Sequence, residues 1–145
     1  VDIRQIEWQQ TIPVRHRVLW PEKPPEFCYV DGDEIGIHFG AFVNDVLVCV
    51  ASIYIEDKNA RLRKYATELN FQGQGIGSAV LNKVITYLTT HEINVFWCDA
   101  RESALSFYQR FGMVRQGERF YKSDVPYYKM SMSLNLPAGL QPPLQ

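Results

Sequence analysis

The sequence predicts an α/β or α+β fold, a β-sheet with helices on its faces. Three observations carry this reading. The run Val46-Leu47-Val48-Cys49-Val50-Ala51 is continuously apolar, as a strand covered on both faces must be. Apolar residues at Ile76, Val80, Leu81, Val84, Ile85 and Leu88 recur at helical spacing. Between a strand-like run and that helix lies Gln72-Gly73-Gln74-Gly75-Ile76-Gly77, with three glycines in five positions.

Taken in order, residues 3–8 read as a short first strand. Residues 14–20 carry Val14, Val18 and Leu19 with basic residues between, and predict a short helix that Pro21, Pro24 and Pro25 end. Asp31-Gly32-Asp33-Glu34 is an acidic loop. Residues 35–43 and 46–55 read as two strands joined by a hairpin turn at Asn44-Asp45. After a polar turn, residues 61–69 form a further strand, with Leu62 and Ala66 on one face and Tyr65, Thr67 and Leu69 on the other. The glycine segment and its helix follow, then a short buried strand at 95–98. Ala104, Phe107, Tyr108 and Phe111 mark a second amphipathic helix, with Ser103 as N-cap and Gly112 as its stop. Residues 114–121 and 127–136 are two closing strands, and 137–145, rich in Pro, Gln and Gly, a loose tail. The expected organisation is one domain over 1–136, without repeats.

Composition narrows the function. Net charge is −1 with no basic block, which argues against a nucleic-acid partner. No apolar run approaches the ~18 residues of a membrane span. No signal peptide is visible, and a chain that begins at Val1 rather than Met is expected to lack a little N-terminal sequence. Cys28, Cys49 and Cys98 are odd in number and far apart, which disfavours a disulfide framework, a structural zinc site and any metal requirement. Cys49 and Cys98 sit in apolar runs and read as small buried hydrophobes. Reduced thiols fit a cytoplasmic location. The oligomeric state is not fixed by the sequence, and a homodimer is compatible with it.

The glycine segment is where chemistry enters. Glycines let backbone approach a ligand closely, and the following helix begins with unpaired N–H groups at the positive end of its dipole. Such an entrance suits a phosphate. A Walker loop fails, because Gly77 is followed by Ser78 and Ala79 rather than Lys and a hydroxyl residue. A dinucleotide fingerprint fails at its third glycine, where Ser78 stands, and the preceding strand is charged at Arg61, Arg63, Lys64 and Glu68. The pattern Q/R-x-x-G-x-G/A matches in full, and it resembles the acyl-CoA pyrophosphate loop of the GNAT superfamily of N-acyltransferases.

The resemblance extends over nearly the whole chain. Lys64-Tyr65-Ala66-Thr67-Glu68-Leu69-Asn70-Phe71 leads into the glycine segment as the family's strand and linker do. Ala104-Leu105-Ser106-Phe107-Tyr108-Gln109-Arg110-Phe111-Gly112-Met113 resembles its A-x-x-F-Y-x-x-x-G-F segment, with Met113 for the usual Phe. Arg15-His16-Arg17-Val18-Leu19-Trp20-Pro21, with His38-Phe39-Gly40-Ala41-Phe42, resembles a bacterial subgroup whose substrates are mostly unassigned. The resemblance implies a mixed sheet splayed between the 61–69 and 95–98 strands, with the pantetheine arm in the splay. It implies acetyl-CoA as co-substrate, its arm against the backbone of Tyr65, Ala66 and Thr67. The pyrophosphate would sit on N–H groups of Gln72, Gly73, Gln74, Gly75, Ile76, Gly77 and Ser78. It also implies Tyr108 as the acid that protonates the departing thiolate.

The chemistry is consistent with those roles. The attacking amine must be neutral, though a free alkyl amine has a pKa of about 10. The thioester oxygen gains charge and needs a preorganised N–H donor. A thiol near 8.5 and a tyrosine near 10 are close enough for proton transfer. From helical pattern alone Tyr108 would be a packing residue beside Phe107 and Phe111. Glu68, Asp99 and Glu102 are candidates for a general base, as is a water chain, but each carboxylate is more often an ordinary surface group. His16 and His38 read as satisfied structural residues. Arg101 stands where many relatives carry an Asn that contacts the cofactor arm. The acceptor expected is a small-molecule or peptidyl amine. If Asp31, Asp33 and Glu34 line its entry, a cationic one is favoured. The competing readings are a non-catalytic acyl-CoA-binding module and a protein-interaction domain on the same fold.

Overall fold

A computed structural model describes residues 1–134. The strand expected to reach residue 136 and the tail at 137–145 therefore lie partly or wholly outside the described residues. Seven strands form one mixed sheet in the order β1-β2-β3-β4-β5-β7-β6, flanked by helices. The chain divides into two compact units. The first is Val1–Ile55 with Leu62–Tyr87, and the second is Glu56–Arg61 with the chain from Leu88 onward.

In the first unit β1 (Asp2–Ile6) pairs antiparallel with β2 (Ile37–Val43), and β2 with β3 (Val46–Glu56). Asn44 and Asp45 take φ of 50° and 67° in the two-residue turn, the left-handed geometry a tight hairpin demands. Val48, Cys49, Val50, Ala51 and Ile53 are buried, whereas Val46 is exposed and Leu47 half-buried next to the hairpin turn, so the strand is covered on both faces only from Val48. Helix α1 (Trp8–Leu19) starts six residues before the expected 14–20 helix. A capping box sets that start: the Glu7 N–H donates to Gln10 Oε1 at 2.8 Å. Pro13 lies inside the helix, which loses one backbone hydrogen bond there. Apolar packing offsets that loss, because Val14 joins Val50 and Ala66 in a core flanked by Ile6, Val18, Leu19 and Leu47. Strand β4 (Asn59–Thr67) ends in this unit, followed by a 3-10 turn at Leu69–Phe71 and by α2 (Ile76–Thr90).

In the second unit the first residues of β4 pair in parallel with β5 (Val95–Arg101), from Asn59–Val95 to Arg61–Trp97. β5 pairs antiparallel with β7 (Val125–Ser133), which forms a hairpin with β6 (Val114–Lys122). Phe96, Cys98 and Ala100 alternate into the core with Met113 and Met130. The second amphipathic helix is shorter than its pattern suggests. A 3-10 turn at Glu102–Ala104 precedes α3 (Leu105–Gln109), and no side chain caps it, so Ser103 is not the N-cap. Gly112, with φ of 97°, ends it as expected, and the Met113 N–H donates to the Tyr108 carbonyl.

Candidate active site

The first unit builds the phosphate-like cradle. At Lys64 the backbone turns to φ 53°, a local irregularity in β4. Beyond it Ala66 is buried in the α1 core, while Tyr65 and Thr67 lie on the α2 side. A Cβ placed on Gly77 would lie 3.2 Å from Tyr65 Cζ, nearer still to its hydroxyl, and 3.6 Å from Thr67 Oγ1. Glycine at 77 is thus what lets the first turn of α2 close against β4. Gly73 and Gly75 have φ of 75° and 80°, and a Cβ on either would meet nothing within 4 Å. Their role is conformational, and the space beside them is open.

The glutamines brace this loop. Gln72 Nε2 donates to the Thr67 carbonyl at 2.9 Å, and Gln74 Nε2 donates to the Asn70 carbonyl at 3.1 Å. Their side chains hold the turn, which leaves the backbone to meet a ligand. The first helical bond of α2 runs from the Ala79 N–H to the Gly75 carbonyl at 3.0 Å. The N–H groups of Ile76, Gly77 and Ser78 precede it and have no acceptor within the helix. An open loop, left-handed glycines and a helix start fit a pyrophosphate.

The second unit holds Tyr108, on α3. Its ring packs edge-on against Phe107 at 5.2 Å, and Phe107 meets Phe111 at 5.3 Å. Tyr108 is half-buried, and its hydroxyl interacts with the thiol of Cys98 on β5, a weak hydrogen-bonding partner. Burial, and then Cys98, push the Tyr108 hydroxyl above the ordinary 10. Burial, and then Asp99, push the Cys98 thiol up to about 12, with Arg61 and Tyr108 opposing. The proton therefore stays on both groups at neutral pH.

The carboxylates weighed as general bases are all held by cations. Glu68 takes Arg17 Nε at 2.8 Å, and Asp99 takes Arg61 at 2.9 Å and Lys122 at 3.3 Å. Glu102 takes Arg119 at 3.0 Å. His16 Nε2 lies 2.6 Å from the Lys23 carbonyl, and Arg101 is exposed at the end of β5.

The sequence reading missed a buried polar network. Arg15 on α1 and Asp33 in the loop before β2 are both fully buried and pair bidentately, at 2.8 and 3.0 Å. Arg15 also donates to the Cys28 carbonyl and to Ser52 Oγ, while Tyr54 Oη and the Val30 N–H donate to Asp33. The acidic loop is thus not three free carboxylates. Asp33 is neutralised by Arg15, and Glu34 accepts from Tyr29 Oη at 2.6 Å. Asp33 therefore cannot steer an acceptor, and an expectation of a cationic amine is left to Asp31 and Glu34.

His38 completes the network. Its Nε2 lies 2.9 Å from the Asp33 carbonyl, which only accepts, so Nε2 carries the hydrogen and Nδ1 accepts from Ser52 Oγ at 2.7 Å. Burial drives its pKa below the ordinary 6.5, against the pull of Asp33. Asp33 is pushed up by desolvation, but Arg15, Tyr54 and the Val30 N–H outweigh this and hold it below 3.8. Both shifts have the same consequence. The unfolded chain takes up each proton first, so His38 contributes fully above about pH 6.5 and Asp33 fully above about pH 4, and each contribution is lost as pH falls. The melting temperature should decline from pH 7 to 5, and His38→Gln should flatten that decline. Equal slopes in parent and variant would remove His38 as its source.

A family model described as an acetyltransferase (GNAT) domain matches residues 31–134. The chain belongs to the GNAT acetyltransferase family. It is accordingly an N-acetyltransferase. A relative, the uncharacterised N-acetyltransferase YitI of Bacillus subtilis (strain 168), is 28% identical over 135 residues, covering 87% of this chain and 89% of the relative. The ribosomal-protein-S18-alanine N-acetyltransferase from Escherichia coli superposes with a TM-score of 0.81 at 18% identity, covering 97% of each chain. An aminoglycoside 6'-N-acetyltransferase complexed with coenzyme A gives 0.75 at 14% identity, covering 94% of this chain and 99% of that one. These structures share the GNAT fold. GNAT acetyltransferases use acetyl-CoA, and the last of these holds the coenzyme. Among the described residues no cluster of His, Cys, Asp and Glu is placed to hold a metal, and no helix is long and apolar enough to cross a membrane.

Proposed function

We propose that this GNAT protein transfers the acetyl group of acetyl-CoA to the primary amine of a small molecule or peptide by direct attack. Tyr108 serves as general acid. The observation that carries the reading is the open, left-handed glycine loop closed against Tyr65 and Thr67 at the start of α2. Acetyl-CoA, when bound, supplies an acetyl thioester whose transfer to the amine releases the CoA thiol. The backbone of residues 72–78 holds the pyrophosphate, and the Tyr65, Ala66 and Thr67 backbone lies along the pantetheine arm. Tyr108 keeps its proton at Oη until a sulfur beside it gains charge. Burial, and then Cys98, hold the Tyr108 hydroxyl above the ordinary 10, so it is protonated when the step begins. A protonated hydroxyl is what a general acid needs at the start of the step. Three buried free thiols fit a reducing compartment, which supports a cytoplasmic site of action.

Gly77→Ala tests the loop. Its methyl would displace Tyr65, while a helical Gly→Ala change should not unfold the protein. Calorimetry with CoA should show affinity reduced by about tenfold, near 1.4 kcal/mol. Unchanged affinity in the folded variant would place the pyrophosphate elsewhere.

A further inference from the structure

Around Trp97 in the second unit, Arg61, Lys122 and Lys129 gather beside a single paired carboxylate, Asp99. Along β5, Cys98 faces α3, so Trp97 and Asp99 project from the opposite side of the sheet. Register places Asp99 beside Lys129, Lys129 beside Gln116, and Tyr127 beside Phe120. Arg61, paired with Trp97, lies on the same side. The Arg61 guanidinium sits 4.7 Å from the Trp97 ring centre, and Lys129 Nζ 4.6 Å from that same centre. Asp99 is shared by Arg61 and Lys122. Lys122 also lies 4.8 Å from the ring of Tyr127, which stacks on Phe120.

Two cations thus share one carboxylate, and a third, Lys129, stands on the neighbouring indole. Among the described residues Lys129 forms no ion pair, and the buried Nε of Arg61 meets no acceptor. The cations are not sealed in, since the Arg61 side chain is 30% exposed and that of Lys122 is 49% exposed. Like charges held on one indole repel, and an incoming anion relieves them. We propose that this face docks an acidic segment of a partner polypeptide.

The pattern favours discrete carboxylates over a nucleic acid. Trp97 already has two cations against it, and Phe120 and Tyr127 stack on each other, so no aromatic ring here is free to receive bases. The negative Asp99 at the centre interrupts any continuous track for a phosphate backbone. The partner implied presents spaced Asp or Glu side chains to Lys129, Lys122 and Arg61.

The test uses Trp97 itself. Trp8→Phe with Trp20→Phe keeps aromatic packing at both sites and leaves Trp97 as the sole indole. The probe is a hexaglutamate peptide acetylated at its amine, which cannot act as an acceptor, so docking is read independently of acetyl transfer. We expect a saturable change in Trp97 emission that weakens with salt. Lys122→Gln with Lys129→Gln should weaken binding at least about fivefold, and Asp99→Asn, which removes the central carboxylate, should tighten it. No change in Trp97 emission overturns the proposal. So does equal affinity in the double lysine variant, weaker binding by a folded Asp99→Asn variant, or an oligothymidylate of equal charge that binds as tightly as the peptide.

Discussion

Asp33→Ala is expected to lower stability by about 3–5 kcal/mol, the range for removing one partner of a buried ion pair. The loss has two parts. Arg15 would remain fully buried with its charge unmatched, and Tyr54 Oη and the Val30 N–H would lose their acceptor. A domain of this size holds only about 5–15 kcal/mol in total, so the melting temperature should fall by roughly 10 °C or more. Asp33→Asn separates shape from charge. It keeps the size and one acceptor oxygen, but it cannot meet the guanidinium bidentately as an anion, so it should fall between parent and Ala. Arg15→Met combined with Asp33→Leu should cost less than Asp33→Ala alone, because no charge is left buried. Denaturant melts of the four proteins decide it. A double variant less stable than Asp33→Ala would mean that packing, not uncompensated charge, sets the cost.

The position of Asp33 also shows where sequence reading stops. Its own neighbours, Gly32 and Glu34, make it look like a surface turn, and its partner stands 18 residues earlier on a helix. A signal was present: Thr11, Val14, Arg15 and Val18 share one helical stripe, which puts Arg15 on the buried side. The apolar spacing of Val14, Val18 and Leu19 places the helix at 14–20, which leaves Thr11 outside the stripe. What is local was legible. The apolar run, the Asn44-Asp45 turn and the glycine segment each state their backbone requirement within a few residues; the structure carries the turn and the glycines, and covers the run from Val48 onward but leaves Val46 exposed. Ser103 failed as a cap because the chain takes a 3-10 turn from Glu102 to Ala104 first, which pattern alone does not distinguish from helix. Tyr108 is different again. Periodicity assigns it only to an aromatic cluster, and its hydroxyl facing a thiol arises from pairing α3 with β5, which no local pattern encodes.

Tyr108→Phe is expected to lower kcat by about 10²-fold or more while leaving the Kd for acetyl-CoA unchanged, as removal of a general acid does. The ring is retained, so the edge-on contact with Phe107 survives and the fold should melt within a degree or two of the parent. What disappears is one proton, held by a hydroxyl that burial keeps protonated across the working pH range. Without it the leaving thiolate would have to take its proton from water. That is the source of the penalty, and it falls on kcat rather than on binding. Cys98→Ala serves as the control for position. It removes the hydroxyl's weak partner but not the acid, so its effect on kcat should be far smaller. Steady-state rates on an amine substrate, with acetyl-CoA affinity measured separately by calorimetry, give the two quantities. If Tyr108→Phe turns over as fast as the parent, Tyr108 is a packing residue. If it loses acetyl-CoA affinity in proportion to rate, the hydroxyl holds the co-substrate and the acid lies elsewhere.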